Sequence, residues 1–514
     1  MRTIILFLLL TFPSVLFAQF GNLDNTFDGD GQFILSETGT FTSIAVQPDG
    51  KIVAVGNISN LNTDITVVRL NPDGSLDPNF GGIGGENFDF GNQDLAIRVL
   101  LQPDGKILIG GYSNSPTSGG NYQMFVMRLY PDASEDLSFG TNGRVDVGFG
   151  ISDPNGVLYD MELLPNGKIL IAGSTNSASE TDIALARLNS DGTLDTDFSF
   201  DGMLTYDIQD MDLAYAMHVQ ANGRITLAGS TTVGGGGQPR GLLVQLHEDG
   251  SFVNTFGSVG VSLIDLPNPN EQFNDIQMDG AGRFYLAGRH QASGGDTDGV
   301  IARITSNGAL DPSFSFDGVV YTDHTGDHDF GERLLIQPDG RILVAVRAST
   351  LVGYVGVLYR LHEDGIYDDT FGANGKVVLD DVPGTFFYSL ALQPDLKILA
   401  GGRAGPTQML IARYTSGMNV GIAEVDAYIG STLIYPNPVT NNQVTIEYEL
   451  KSDERVSIEL FDLTGKMIAQ LQSWTAESAG SYQKMLALPE LSAGNYLMKL
   501  NTEKGSVSVK MMVD

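Results

Sequence analysis

The side chains best placed for chemistry in this 514-residue chain are carboxylates and a few histidines, since it has six histidines and no cysteine. One irregular stretch, Asp323-His324-Thr325-Gly326-Asp327-His328-Asp329, gathers imidazoles and carboxylates of the kind that bind zinc or manganese. A loop without a rigid scaffold seldom builds such a site, so the expectation is a solvated polar loop and no metal ligand is assigned. The equivalent connection elsewhere carries Asp153, Asp210, Asp212, Asp275 and Asp381. If all copies emerge on one face they make a carboxylate-rich mouth, suited to calcium or a polyol, with a hydrated rim as the simpler expectation. His247-Glu248 and His362-Glu363 lie in phrases of the form LHEDG and read as exposed turn residues. Nucleophile elbow, P-loop, dinucleotide fingerprint and His-Glu-x-x-His motifs are missing, so no catalytic or cofactor-binding residue is assigned.

The elements that position these residues follow from a repeat. The phrase VQPDGKIVAVG at Val46 returns as LQPDGKILIGG from Leu101, LPNGKILIAG from Leu164, VQANGRITLAG from Val219, GAGRFYLAG from Gly280, IQPDGRILVAV from Ile336 and LQPDLKILAGG from Leu392. A phenylalanine keeps step at Phe27, Phe80, Phe139, Phe198, Phe256, Phe314 and Phe371, at successive spacings of 53, 59, 59, 58, 58 and 57 residues. Apolar residues alternate within each period, so each reads as about four short strands. The third repeat gives them at Arg144 to Val147, Val157 to Leu163, Lys168 to Ala172 and Ile183 to Leu188.

Four strands repeated seven times make an all-β fold, a seven-bladed β-propeller with the phenylalanine wedged between blades. An open solenoid would need shorter repeats and polar caps. The turn glycines Gly50, Gly105, Gly167, Gly223, Gly282 and Gly340 are expected at positive φ, which makes Leu396 and Ala133, at turn positions of this kind, sites of strain. Arginine precedes the second turn at Arg69, Arg128, Arg187, Arg303, Arg360 and Arg413, with Gln245 in the remaining repeat. Repetition in every blade favours pairing with turn aspartates over a ring of ligand-binding cations.

The phrases LDxxFG, QPDGKI and RLxxDGSLD resemble the delta-60 repeat family of bacterial surface and secreted proteins over about residues 20 to 416. That resemblance implies a propeller, with no defined activity and no catalytic residues. The fifth repeat departs most, with VNTFG and DGAGRF in place of the usual phrases.

The 29 Lys+Arg against 62 Asp+Glu, net −33, argue against nucleic acid or anionic lipid as the main partner. Residues 1–18 pair Arg2 with an apolar run from Ile4 to Phe17 and a small Ala18, the pattern of a cleaved secretory signal peptide. No later segment reads as spanning a membrane. The propeller is expected over 19–416, a linker over 417–430 and a second domain over 431–514, where about seven short strands suggest a small immunoglobulin-like β-sandwich. There YPNPVTNNQVTIEY at Tyr435, LFDLTGK at Leu460 and LSAGNYLMKL at Leu491 resemble the type A sorting domain of the type IX secretion system of Bacteroidota. The resemblance implies export through the periplasm, secretion-machinery contacts through residues 431–514, and a propeller cargo released or held at the outer surface. The functional expectation is a non-enzymatic module binding a glycan or protein. The alternative is a secreted glycosidase or lyase using mouth carboxylates. No cofactor beyond a possible calcium ion is expected.

Overall fold

The computed structural model describes residues 20–513 apart from 60–61, 92, 115–120, 150–154, 177–179, 235–236, 268–269, 293–294, 352, 380–383, 418–428, 436–438, 440–441, 463–466, 490, 492–493 and 503–505. Residues 1–18, read above as a signal peptide, lie outside them together with Asp153, Asp381 and most of the linker.

Every described element between residues 20 and 416 is a strand or a turn. Blade 2 shows the plan. Its strands Asp94–Leu101, Ile107–Ser113, Gln123–Leu129 and Arg144–Val147 pair antiparallel in that order. The first strands of successive blades pack beside one another around a closed circuit, and the innermost strand of the last blade, Phe386–Leu392, meets that of the first. The sequence period is therefore offset from the blade by one strand. Arg144–Val147, read above as opening the third repeat, is the outer strand of blade 2, whereas Gly156–Leu163 opens blade 3. Alternation predicts a strand but not its neighbour, which is why the pattern did not fix this.

Closure uses the N-terminus. The strand Gln32–Val46 pairs through its second half with Ile52–Ser59 in blade 1. Its first half pairs with Gln408–Tyr414, in the register Gln32 to Ala412 and Leu35 to Met409, and so becomes the outer strand of blade 7.

The wedge phenylalanines have at most 1% exposure, and each sits in an apolar cluster formed by two adjacent blades. Phe27 fills the seventh, between Ile52 of blade 1 and Leu399 of blade 7. Behind six of the seven wedges lies the repeated arginine. Arg360 is buried, places Nε 2.7 Å from Asp368, lies over the Phe371 ring at 4.4 Å, and donates to the Ser416 carbonyl. Arg69, Arg128, Arg187 and Arg303 do the same with Asp77, Asp136, Asp195 and Asp311, each reaching a carbonyl of the next blade. Arg413 joins Asp24, from the N-terminal segment, and the Pro72 carbonyl of blade 1. The arginines are bolts between blades. Blade 4 changes all parts together: Gln245 bonds Thr226 at 3.1 Å, and Val253 stands where the others have aspartate.

The six turn glycines have φ between +80° and +85°, while Leu396 and Ala133 occupy the same region at +63° and +76°, the strained positions expected from sequence.

In the C-terminal domain three strands, including Gln443–Leu450, form one sheet and four, including Glu454–Asp462 and Ser506–Val513, form another. Val444, Ile446, Ile458, Leu460, Met498 and Met511 form the core of this sandwich. Its first strand, Ile429–Tyr435, begins two residues before the boundary read from sequence, because an extended run that pairs with Gln443–Leu450 looks like linker until its partner is known.

Candidate functional site

Antiparallel alternation divides the propeller into two faces. The PDGK-type turns and the second turns lie on one, the blade-to-blade crossovers on the other. The inner strands run from the crossover face toward the turns, and each is interrupted once. The register breaks between Phe41 and Ser43, Ala96 and Arg98, Leu158 and Asp160, Ala214 and Ala216, Phe273 and Asp275, Gly331 and Arg333, and Phe387 and Ser389. A β-bulge re-aims the extra residue's side chain and strengthens the local twist.

The seven bulged residues are Thr42, Ile97, Tyr159, Tyr215, Asn274, Glu332 and Tyr388, and all seven line one cavity of about 460 Å³. Gly39, Asn57, Arg333 and Arg403 are also in its wall. The volume falls in the range of small-molecule sites. None of these residues was singled out in the sequence. The signal was present nonetheless: each lies five residues before the first residue of its turn phrase, at Gln47, Gln102, Leu164, Gln220, Asp279, Gln337 and Gln393, in a column that varies while its surroundings repeat.

Six of the seven residues that follow a bulge tie the hub together. Ser43, Asp160, Asp275 and Ser389 accept the backbone N–H of Val99, Met217, Leu334 and Ile44 in the following blade. Arg98 sits 2.6 Å from Asp160, and Arg333 donates to the carbonyls of Asn274 and Tyr388 beside Asp275. Deeper toward the turn face, burial and then the Asp160 charge push the Glu162 carboxyl up to about 8. The tyrosines keep their protons at neutral pH: burial raises all three, Tyr215 to about 12. The rings of Tyr159 and Tyr215 are 4.8 Å apart, and Tyr388 meets Phe386 edge-on at 5.2 Å. Burial also raises the Glu332 carboxyl, opposed by Arg347 at 3.0 Å and by Arg333.

The acidic mouth expected from sequence is not what faces this cavity. Asp212 is buried, accepting N–H from Ile208 at 2.5 Å and Gln209 at 2.9 Å and the Thr231 hydroxyl at 2.5 Å. Asp94, Glu271 and Asp329 take crossover N–H groups of Phe90, Leu266 and His324 in the same way. These acids staple the crossovers because a buried backbone N–H must find a partner. In the histidine-containing loop, Asp323 caps Gly326 N at 2.6 Å, Asp327 caps His328 N at 2.9 Å, and His324 Nδ1 lies 3.3 Å from Lys376 Nζ, so the side chains turn to their own surroundings. Glu363 pairs with Arg283, and His362 lies 3.9 Å from Asp368, on the turn face. Among the described residues, one group of three carboxylates, Asp64, Asp89 and Asp94, brings oxygens within 4.8 Å of one another, between blades 1 and 2 and outside the cavity wall.

These acids set the pH dependence. For Asp24, burial raises the carboxyl, but bonds from Thr26 and Lys397 and the Arg413 charge outweigh it and hold the group at about 2, and Asp77 is held there similarly by Lys51, Asn79 and Arg69. Their stabilisation is present above the unfolded value of 3.8 and is lost as pH falls toward 2. Burial instead raises Glu271 and Asp329 to about 7 and Glu162 to about 8, so their contribution declines from the unfolded values of 4.5 and 3.8 upward through that range. The melting temperature is expected to peak at about pH 4–5, and Glu162→Gln is expected to flatten the fall above it. A maximum near pH 8 in calorimetry would contradict this assignment.

Two families match. The description "domain of unknown function (DUF5122) beta-propeller" applies to residues 47–80, 102–139, 164–198, 220–256 and 282–314, each running from a first turn to a wedge phenylalanine. A secretion-system C-terminal sorting domain matches residues 433–514. The chain carries DUF5122 β-propeller repeats and a C-terminal sorting domain. That domain directs the DUF5122 propeller through the type IX secretion system to the cell surface or extracellular space. The blades at Asp329–Leu379 and from Phe386 onward lie beyond the matched repeats but share their bulge, wedge and arginine bolt.

No curated protein matches the chain. Similar solved structures include a protein of unknown function from Dyadobacter fermentans DSM 18053, at 16% identity over 75% of this chain and 98% of that one, with a TM-score of 0.42. The β-propeller domain of the Trilobed protease from Pyrococcus furiosus, described as having an open velcro topology, gives 9%, 79%, 97% and 0.37. Polysaccharide lyase Uly1 gives 9%, 87%, 90% and 0.31. At these values the likenesses carry no functional argument. Among the described residues no helix is long and apolar enough to cross a membrane.

Proposed function

We propose that this exported propeller, from a Bacteroidota-type bacterium, binds a glycan in its axial cavity without cleaving it. The observation that carries the reading is the convergence of all seven bulges on one well. Three tyrosine faces there suit the C–H faces of sugar rings, while Asn57, Asn274 and Thr42, held in place by bonds to Ala96 and Gly331, and Glu332, held by Arg347, keep second donor or acceptor positions for hydroxyls. The enzymatic alternative draws on Glu332, a partly buried acid that departs from the repeat as a general acid would. Hydrolysis by the usual route pairs two carboxyls roughly 5 to 9.5 Å apart across the scissile bond, and Glu332 is the one carboxylate among the described cavity-lining residues.

The test is titration of the exported protein with dextran, xylan, galactomannan, polygalacturonate and dextran sulfate, with and without calcium, while monitoring chain length. Saturable binding with unchanged chain length, weakened about tenfold by Tyr159→Ala or Tyr215→Ala, is expected, the size of one lost ring contact. Cleavage abolished by Glu332→Gln would establish the enzymatic alternative. Binding unmoved by either tyrosine change would remove the well from the account.

A further inference from the structure

A second varying column lies on the second strand of each blade, opposite the residue two before each bulge on the crossover side, and its members Asn57 and Arg403 line the cavity. It reads Asn57, Tyr112, Ser174 and Ser230 in blades 1–4, then Arg289, Arg347 and Arg403 in blades 5–7. The three arginines form a ladder with aromatic rungs. Arg289 and Arg347 lie over Phe330 at 6.0 and 4.6 Å, and Arg347 and Arg403 lie over Phe386 at 5.7 and 5.6 Å. Rings on both sides hold the Arg347 guanidinium, and one ring each holds those of Arg289 and Arg403, before any ligand arrives. Arg289 donates to Gln272 at 2.8 Å, and Arg403 donates to the Gly405 and Pro406 carbonyls, all neutral partners. Glu332, at 3.0 Å from Arg347, is the carboxylate paired with the ladder, whereas Arg333 is already matched with Asp275. In a chain of net charge −33, the ladder thus sets three guanidiniums against one paired carboxylate.

We infer that the ladder selects an acidic polysaccharide, its carboxylate or sulfate groups bound along blades 5–7 while a sugar ring occupies the tyrosine-lined well. This rests on the glycan-binding reading of the same cavity. Planar guanidinium forks match both kinds of oxyanion. The overall negative charge repels polyanions elsewhere on the surface and limits adventitious adsorption.

The experiment compares polygalacturonate with its fully methyl-esterified form, and dextran sulfate with dextran, using the full exported chain at two salt concentrations. Expected is at least tenfold tighter binding of one acidic form than of its neutral counterpart, weakening with salt. The identity of that form distinguishes carboxylate from sulfate. Arg289→Gln/Arg403→Gln is expected to lose that preference and most of the salt dependence, whereas Arg224→Gln, on the turn face, retains both. Equal binding of neutral and charged forms, lost with Tyr159→Ala but not with the arginine pair, would overturn this inference and leave glycan binding standing. Failure of every polysaccharide to bind would overturn glycan binding itself.

Discussion

A chain beginning at Thr38, lacking residues 20–37, is expected to yield no stably folded propeller. The missing segment contributes Phe27, buried in the cluster between blades 1 and 7, and Asp24, 2.9 Å from both Arg413 and Lys397. It also contributes the outer strand of blade 7. Truncating a buried phenylalanine costs about 3–5 kcal/mol, and stranding a buried guanidinium costs a similar amount. The sum is comparable with the whole net stability of about 5–15 kcal/mol typical of a folded protein. Since a failed preparation alone says little, the single changes Phe27→Ala and Asp24→Ala give the graded test, each expected to cost about 3–5 kcal/mol in denaturant unfolding. Their innocence would mean that the N-terminal segment does not close the ring.

The second large effect concerns an arginine bolt. Arg360→Gln leaves the buried Asp368 with Arg341 as its remaining arginine partner, and is expected to cost about 3–5 kcal/mol. Blade 4 shows the alternative solution, in which Gln245, Thr226 and Val253 replace the charged pair with a hydrogen bond and an apolar contact. Copying it into blade 6 as Leu343→Thr/Arg360→Gln/Asp368→Val is expected to recover most of the loss, because removing both charges removes the desolvation penalty that the single change leaves behind. If the triple variant is no more stable than the single one, the arginine acts through contacts other than this pair.

Much of the fold was legible because repetition amplifies weak signals. Seven wedge phenylalanines, seven turn phrases and alternating apolar strands point to a propeller, and the recurrence of arginine in six of the seven repeats points to a structural pairing. The strand offset and the closing segment were not legible, since both depend on which strand pairs with which. The site was missed for a different reason. Attention to acids led to Asp212 and Asp275, which serve the backbone, whereas Tyr159, Tyr215, Glu332 and Tyr388 look like ordinary strand residues until a bulge turns them inward. The Arg289, Arg347 and Arg403 column was visible in the sequence, but its meaning depends on the ring that brings blades 5, 6 and 7 side by side.

The most direct test of a ligand-binding axial well is hydrogen exchange on the full exported chain, alone and saturated with whichever polysaccharide of the panel binds. Protection is predicted in the inner strands at the bulges of Tyr159, Tyr215, Glu332 and Tyr388 and in the second strands carrying Arg289, Arg347 and Arg403, with the turns around Gly105, Gly167 and Gly340 unchanged. Protection centred on those turns, or confined to residues 433–514, would contradict it.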